Sequence, residues 1–307
     1  MTCLDEVKEV IKLAAFNAKE AAAMENYKNV EVSAVVVAEL LEYVSVIALT
    51  YRSNPFHNFE HACHVAMSVN KLLSRFVAPD LSREDMNLVI EGGLSSHLHD
   101  FTHGITSDPM AVFAIVFSAL IHDADHRGVS NVQLAKEEPE IGDLYHCKSV
   151  AEQNSLDVSW ELLMSPRFDR LRALLFGTEA ELIRFRQLIV NVVLATDIFD
   201  KELNDMRKVR WERAFTEGDQ PAGQDISDLR ATIVMEHIIQ ASDVSHTMQH
   251  WHVYQKWNAR LFNELYQAYK EGRSEKDPTE FWYKGEMGFF DFYIIPLAQK
   301  LKSCGVF

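Results

Sequence analysis

Three histidines crowd the stretch NPFHNFEHACHV, residues 54–65, where His57 and His61 stand four apart and His64 follows three later. On a helix that spacing lines imidazoles along one face, where they can ligate a metal, pass a proton, or sit as satisfied polar groups. A second cluster, SALIHDADHRGVSN at 118–131, sets His122, Asp123, Asp125 and His126 at the end of the apolar run 110–121. In a third, HIIQASDVSHTMQHW at 237–251, the apolar Ile238, Ile239 and Ala241 lead into Asp243. Polar groups at the ends of buried rods are costly unless they are paired or bind a cation. Imidazoles and carboxylates from separate helices suit zinc or another divalent transition metal. Asp123, with two oxygens to share, can also bridge to a harder ion such as magnesium or manganese.

Each cluster alone is weak. An HxxxH pair arises by chance on many helices, and an HD dipeptide more readily still. His97, His99, His103, His246, His250 and His252 show that histidine is abundant in this chain, so each, taken singly, reads as a surface or supporting group. The HLHD run at 97–100 is read the same way. What carries the metal reading is the joint pattern, with imidazoles and carboxylates recurring in three separate segments, two of them at the ends of apolar runs.

The segments that must position these groups read as helices. In ELIRFRQLIVNVVLATD, Phe185, Ile189, Val192 and Thr196 repeat at three and four. Thr178 with Glu181, and Ser82 with Asp85, have the spacing of capping boxes. Loops are predicted at 53–55, 78–82, 103–109, 137–143, 217–225 and 271–280, with no period-two strands, no repeats and no long linker. The prediction is an all-α, compact multi-helix bundle forming a single domain over 1–307.

Composition narrows the function. At 307 residues, 48% apolar and 24% charged, the chain has the makeup of a folded protein. A net charge of −15 argues against a large basic face for a nucleic-acid polymer, though it leaves room for a local basic pocket that holds a small anion; if the chain handles phosphate, a metal is expected to supply the positive charge. Four cysteines without CxxC spacing fit free thiols in a reducing compartment. The acidic start MTCLDEVKEVIKLAA lacks the pattern of a secretory leader. Neither apolar stretch, 32–49 interrupted by Glu39 and Glu42 or the short 110–121, reaches the roughly 20 residues of a membrane span. The reading is a cytoplasmic protein with no direct membrane insertion, or the cytosolic part of a larger membrane-anchored one.

The motifs, in order, resemble the catalytic domain of class I 3′,5′-cyclic nucleotide phosphodiesterases. YRSNPFHNFEHACHV is similar to the HNxxHAxxV motif, followed by HDADHRGVSN, SVAEQNSL, LATDIF, ASDVSH and GEMGFFDFYIIPLA, and the resemblance runs over about 43–300. It implies the HD-type metallohydrolase fold and two divalent metals. His61, His122, Asp123 and Asp243 would hold the tighter ion, Zn2+, and Asp123 would share the second, Mg2+ or Mn2+. A metal-activated hydroxide would attack phosphorus, and His57 would protonate the 3′ leaving oxygen, giving a 5′-monophosphate. His126, Glu152 and Thr196 match positions that orient water or the acid. The physics agrees, because an anionic diester resists attack until metal charge neutralises it and its leaving oxygen needs a proton.

The nucleoside end departs from the pattern. Where the family usually presents a glutamine, this chain has Glu286, while Phe289 and Leu261 match the apolar clamp for the base, and His246 falls among the substrate-binding positions. An ionised Glu286 only accepts hydrogen bonds; guanine offers two adjacent donors, so the substrate is cGMP or cAMP with a lean to cGMP. Ala124 and Arg127 replace a larger apolar residue and a proline, and the gap between His61 and His122 is longer than usual, which predicts a surface loop or helix. Two rivals stand beside this reading: an HD-type phosphohydrolase acting on linear nucleotides, and a non-catalytic cyclic-nucleotide sensor. A regulatory or membrane region can lie outside this chain, and oligomeric state is not legible.

Overall fold

Ser33 opens the first described helix, α1 (Ala34–Thr50), its hydroxyl accepting the Val36 N–H. The computed structural model describes residues 6–7, 9–17, 31–76, 94–215 and 223–305; the Ser82/Asp85 capping box, the loop predicted at 78–82 and most of that at 217–225 lie outside them. The described residues are helical throughout, with no strand, as the sequence predicts. Helix α2 (Phe59–Phe76) buries His61, Ala62, Val65, Val69, Leu73 and Phe76 along one stripe, so the first histidine cluster is pinned by the helix's own amphipathic pattern. After α3 (Leu94–Phe101) comes α4 (Pro109–Ile121). Asp108 caps α4, accepting the Ala111 N–H, and Pro109 sits where its missing N–H costs nothing.

Because α4 is apolar on every side, it forms the central rod, packed between α2 and α9 (Glu179–Leu194). The Thr178–Glu181 capping box that starts α9 is present with both reciprocal bonds. Helix α11 (Gln224–Asp243) packs on α2, α9 and α10 (Lys201–Phe215) and ends on Asp243. Helices α5 (Asn131–Glu137), α6 (Pro139–Leu144), α7 (Val150–Met164) and α8 (Asp169–Leu175) connect the rod to α9. The chain then finishes with α12 (Trp251–Lys270), α13 (Trp282–Phe289), a π-helical turn (Phe290–Ile294) and α14 (Ile295–Ser303). Among the described residues no helix is long and apolar enough to cross a membrane.

Two expectations are corrected. The loop predicted at 137–143 is helical: α5 runs to Glu137, and Pro139 begins α6 as its first residue, a position that proline favours. The extra segment before α4 is not confined to the surface, since Ile105, in the turn Ile105–Ser107, is fully buried in the main core. That turn has to seat α4's N-terminus, which draws it inward.

Residues 6–7 and 9–17 belong to a strap that the sequence did not announce. Val7 and Ile11 are fully buried. Arg210 on α10 donates to the carbonyls of Val7 and Glu9. The backbone N–H groups of Ile11, Leu13 and Ala14 donate to Thr232 (3.0 Å), Asp228 (3.2 Å) and Asp108 (2.9 Å). The strap thus joins the cap of α4 to the N-terminal half of α11, two helices whose other ends carry the polar clusters. Ile11→Asp should lower the unfolding free energy by about 3 kcal/mol or more, from lost apolar burial and an unpaired buried charge. Urea unfolding checks this; a loss under about 0.5 kcal/mol would mean that the strap is peripheral to stability.

Candidate active site

Three helices bring four groups to one point. His61 comes from the buried stripe of α2, His122 caps the C-terminus of α4 with Asp123 following it, and Asp243 ends α11. His61 Nε2 lies 2.9 Å from Asp243 Oδ1 and 3.6 Å from Asp123 Oδ2. His122 Nε2 lies 3.0 Å from Asp123 Oδ2 and 3.5 Å from Asp243 Oδ1. These separations match ligand edges around a cation held at about 2.1 Å by nitrogen and oxygen.

Charge balance makes the same demand. His122 Nδ1 faces the Ala119 carbonyl at 3.0 Å, and a carbonyl can only accept, so Nδ1 carries a proton; a neutral ring would then aim its Nε2 lone pair at two carboxylate oxygens, an arrangement that demands a proton or a cation between them. His122 Nε2 and Asp123 Oδ2 are buried without a hydrogen-bond partner. Burial disfavours charge here, yet Asp123 and Asp243 overcome it and hold His122 well above the ordinary imidazole range. Burial likewise raises the two carboxyl groups, but the facing imidazoles, His122 foremost, hold both well below the usual carboxylate range. The cluster requires positive charge at its centre, and the donor set fits a divalent metal.

Beside it, His57 Nδ1 is paired with Glu264 Oε1, while Glu264 Oε2 accepts the Phe56 N–H (2.8 Å) and the His57 N–H (3.0 Å). Burial works against a charged His57, but Glu264 outweighs it and lifts the ring to about 9. Glu264, raised by burial, is pulled down by His57 to about 2. The pair is therefore an ion pair at neutral pH, with His57 Nε2–H left for a substrate. His126 stacks on His57, ring centres 3.9 Å apart. It is pushed down to about 4 by burial and by the charge on His57. Its Nδ1 accepts the Gly128 N–H at 3.1 Å, which places the neutral ring's proton on Nε2. Asn54 ties the two rings together by donating to the carbonyls of His57 (2.9 Å) and His126 (2.8 Å).

Glu264 was missed in the sequence. The available signal was its place on α12, where Trp257, Glu264 and Ala268 form the buried stripe. A carboxylate in such a stripe requires a partner.

Glu152, in the first turn of α7, shares the Asn131 amide with Asp197: Nδ2 lies 3.0 Å from Glu152 Oε2 and 3.3 Å from Asp197 Oδ2. Asp197 also accepts the Ser149 hydroxyl and the N–H groups of Phe199 and Asp200. Burial, then the charge of Asp197, pushes Glu152 up to about 8, so this carboxyl keeps its proton at neutral pH. The Thr196 hydroxyl donates to the Val193 carbonyl, leaving its oxygen as an acceptor.

On α13, Glu286 Oε2 accepts both the Tyr254 hydroxyl (2.5 Å) and the Asn258 amide (2.5 Å). Trp282 Nε1 donates to Asn258 Oδ1 at 3.2 Å and so fixes which way that amide points. Tyr254, Asn258 and Leu261 follow one face of α12 at four and three. Leu261 and Phe289 are half-buried, and Phe289 stacks on Tyr293 with ring centres 5.2 Å apart. His246 is buried against Phe56 and Trp257, on the side of His61. Burial, then His61, lowers it to about 4. From the HLHD run, His99 stacks on Phe16, consistent with a packing role.

Residues 56–305 match the family described as 3′5′-cyclic nucleotide phosphodiesterase. A probable 3′,5′-cyclic-AMP phosphodiesterase of Caenorhabditis elegans is 26% identical over 85% of this chain and 36% of its own length. A dual specificity calcium/calmodulin-dependent 3′,5′-cyclic nucleotide phosphodiesterase of Homo sapiens is 23% identical over 85% of this chain and 33% of its own length. The chain thus spans about a third of these relatives. In structure it is similar to the phosphodiesterase domain of a RhoPDE fusion protein from the choanoflagellate Salpingoeca rosetta. The TM-score is 0.65 at 21% identity, covering 98% of this chain and 82% of that one.

Proposed function

Since the chain belongs to the 3′,5′-cyclic nucleotide phosphodiesterase family, we propose that it hydrolyses cyclic GMP or cyclic AMP to the 5′-monophosphate in the cytoplasm. The observation that supports this most is a charged His57–Glu264 pair standing beside the cluster of His61, His122, Asp123 and Asp243. In this reading the four groups hold zinc, and Asp123 shares a second ion, magnesium or manganese. Bound there, the metals supply Lewis-acid charge that offsets the anionic phosphate.

The chain's own residues do the rest. Glu264 keeps His57 protonated and fixes its tautomer, so Nε2–H is the proton delivered to the 3′ oxygen as its bond to phosphorus breaks. His126, neutral and stacked on His57, holds the acid ring in place and offers an Nε2–H to a phosphate oxygen or water. Protonated Glu152 can donate to a water and, with Thr196 as an acceptor, orient it. Phe289 and Leu261 sandwich the base, and His246, packed on Phe56 and Trp257, supports the substrate side of the site.

Hydrolysis of the two cyclic nucleotides, measured side by side with magnesium or manganese and again after chelation, tests the assignment. Chelator-sensitive release of the 5′-nucleotide is expected. Preference for a linear nucleotide would favour the broader phosphohydrolase, and binding without turnover would favour a sensor.

Glu286 Oε2 is already committed to Tyr254 and Asn258, so Oε1 is the oxygen left to read the base, and a carboxylate oxygen accepts. Guanine presents the N1–H and 2-amino donors to such an oxygen; adenine's matching edge pairs one donor with a repelled lone pair. Glu286→Gln should shift the cyclic GMP to cyclic AMP ratio of kcat/KM towards cyclic AMP by roughly tenfold, the equivalent of about 1.4 kcal/mol. An unchanged ratio would remove Glu286 from base reading.

A further inference from the structure

We propose that Arg127 is a positioning residue whose fork on Glu138, together with Arg52 on Asp125, locks the 123–126 turn and so aims His126 at His57. The proposal rests on the reading of His57 and His126 as part of the reacting site. It starts from a backbone feature. Asp125 has φ +61°, a left-handed conformation that costs an L-residue with a side chain about 1 kcal/mol. Its position explains its use. Helix α4 ends at Ile121, and a right-handed residue at 125 would let the helix path continue, carrying His126 away from the stack.

Neutral donors hold part of the turn, Ser155 on the Ala124 carbonyl (2.7 Å) and Asn54 on the His126 carbonyl (2.8 Å), and side-chain charge holds Asp125 itself. Arg127 donates to the Asp125 carbonyl at 3.0 Å and is ion-paired with its carboxylate. Arg52 Nε reaches the same carboxylate at 2.9 Å. The rest of the Arg127 guanidinium forks onto Glu138, Nε to Oε1 at 2.5 Å and Nη2 to Oε2 at 3.0 Å. Glu138 is the single residue between α5 and α6, so the fork fastens the turn to a helix junction. Arg273, beyond the end of α12, donates to the Arg127 carbonyl at 3.2 Å. Arginine can serve two carboxylates at once because its donors are fixed in one plane.

The turn connects Asp123 of the metal-type cluster to His126 of the ring stack, so loosening it displaces both.

The test compares Arg127→Ala with Leu171→Ala, a core variant on α8 chosen to give a similar loss in Tm. Three readouts are taken: kcat and KM for the cyclic nucleotides, Tm, and the imidazole NMR signals of His57 and His126. Arg127→Ala should lower kcat by about tenfold or more, leave KM within about twofold, and move the His126 signals; Leu171→Ala should change Tm alone. Arg127→Lys, which keeps the charge but cannot fork, should fall between. If Arg127→Ala does not fold, Glu138→Gln carries the same comparison. Arg127→Ala with parental kcat and ring signals, or with a Tm loss only, overturns the proposal. Shifted rings in a protein that hydrolyses no cyclic nucleotide would support the lock while sinking the catalytic reading.

Discussion

Asp243→Ala should bind metal at least a hundredfold more weakly and lose activity by about 10⁴-fold or more, some 5.5 kcal/mol of transition-state stabilisation. Asp243 Oδ1 lies within 3.5 Å of both His61 Nε2 and His122 Nε2, so one substitution removes the group that links the two imidazoles. It also leaves His61, fully buried, with its ring nitrogen facing a hole. Asp243→Asn separates charge from volume: it keeps the shape but not the negative charge, and should recover folding without recovering tight metal binding. Zinc content and affinity, measured alongside turnover, decide the matter. A variant that retains stoichiometric metal and activity within tenfold of the parent would show that Asp243 is not a ligand, and would move the cluster's centre towards His61, His122 and Asp123 alone. Those three already lie close enough to hold an ion.

The groups in that cluster were legible in the sequence for a physical reason. His122 and Asp243 each follow an apolar segment whose burial is written in its composition, so they must be paired or must bind something, whereas His61 lies on the buried stripe of an amphipathic helix and is marked by its spacing from His57 and His64. Helix α4 is the clearest case, apolar on all sides and ending on His122. Glu264 was illegible because its partner His57 is 207 positions away in the chain; nothing local marks a glutamate in an amphipathic helix as the mate of a distant histidine. The same holds for Asn54, which bridges two carbonyls 69 residues apart by side-chain geometry alone. Short helices failed in the other direction. Proline and acidic residues at 137–143 read as a break, although proline at a helix's first position starts one. The strap at 6–7 and 9–17 escaped notice because its backbone bonds go to side chains of α10, α11 and the α4 cap, none of which can be foreseen from the segment itself.

The His57–Glu264 pair carries the second large prediction. His57→Asn should lower kcat by about 10²- to 10⁴-fold, the usual weight of a general acid, with zinc content unchanged. Loss of zinc would instead place His57 among the ligands. Glu264→Gln isolates the electrostatics. In the parent, Glu264 is the main source of the rise that brings His57 to about 9, with smaller help from Asp123 and Asp243 that a bound metal would cancel. The alkaline limb of kcat therefore falls at or below about pH 9. Without the carboxylate, burial is left to act alone, and burial lowers the ring, so the limb should move to about 6.5 or below. The sign for stability follows from the same shifts. His57 is raised on folding, so its contribution is full below about pH 6.5 and is lost as pH rises through about 9. Glu264 is depressed, so its contribution is full above about pH 4.3 and is lost as pH falls through about 2. Metal-free parent protein should accordingly lose, at both extremes, a stability increment that Glu264→Gln lacks throughout, and the difference between the two urea-unfolding profiles across pH is the measurement. Parallel profiles would mean that the pair is held open by solvent, and that the proton on His57 at neutral pH must come from substrate binding instead.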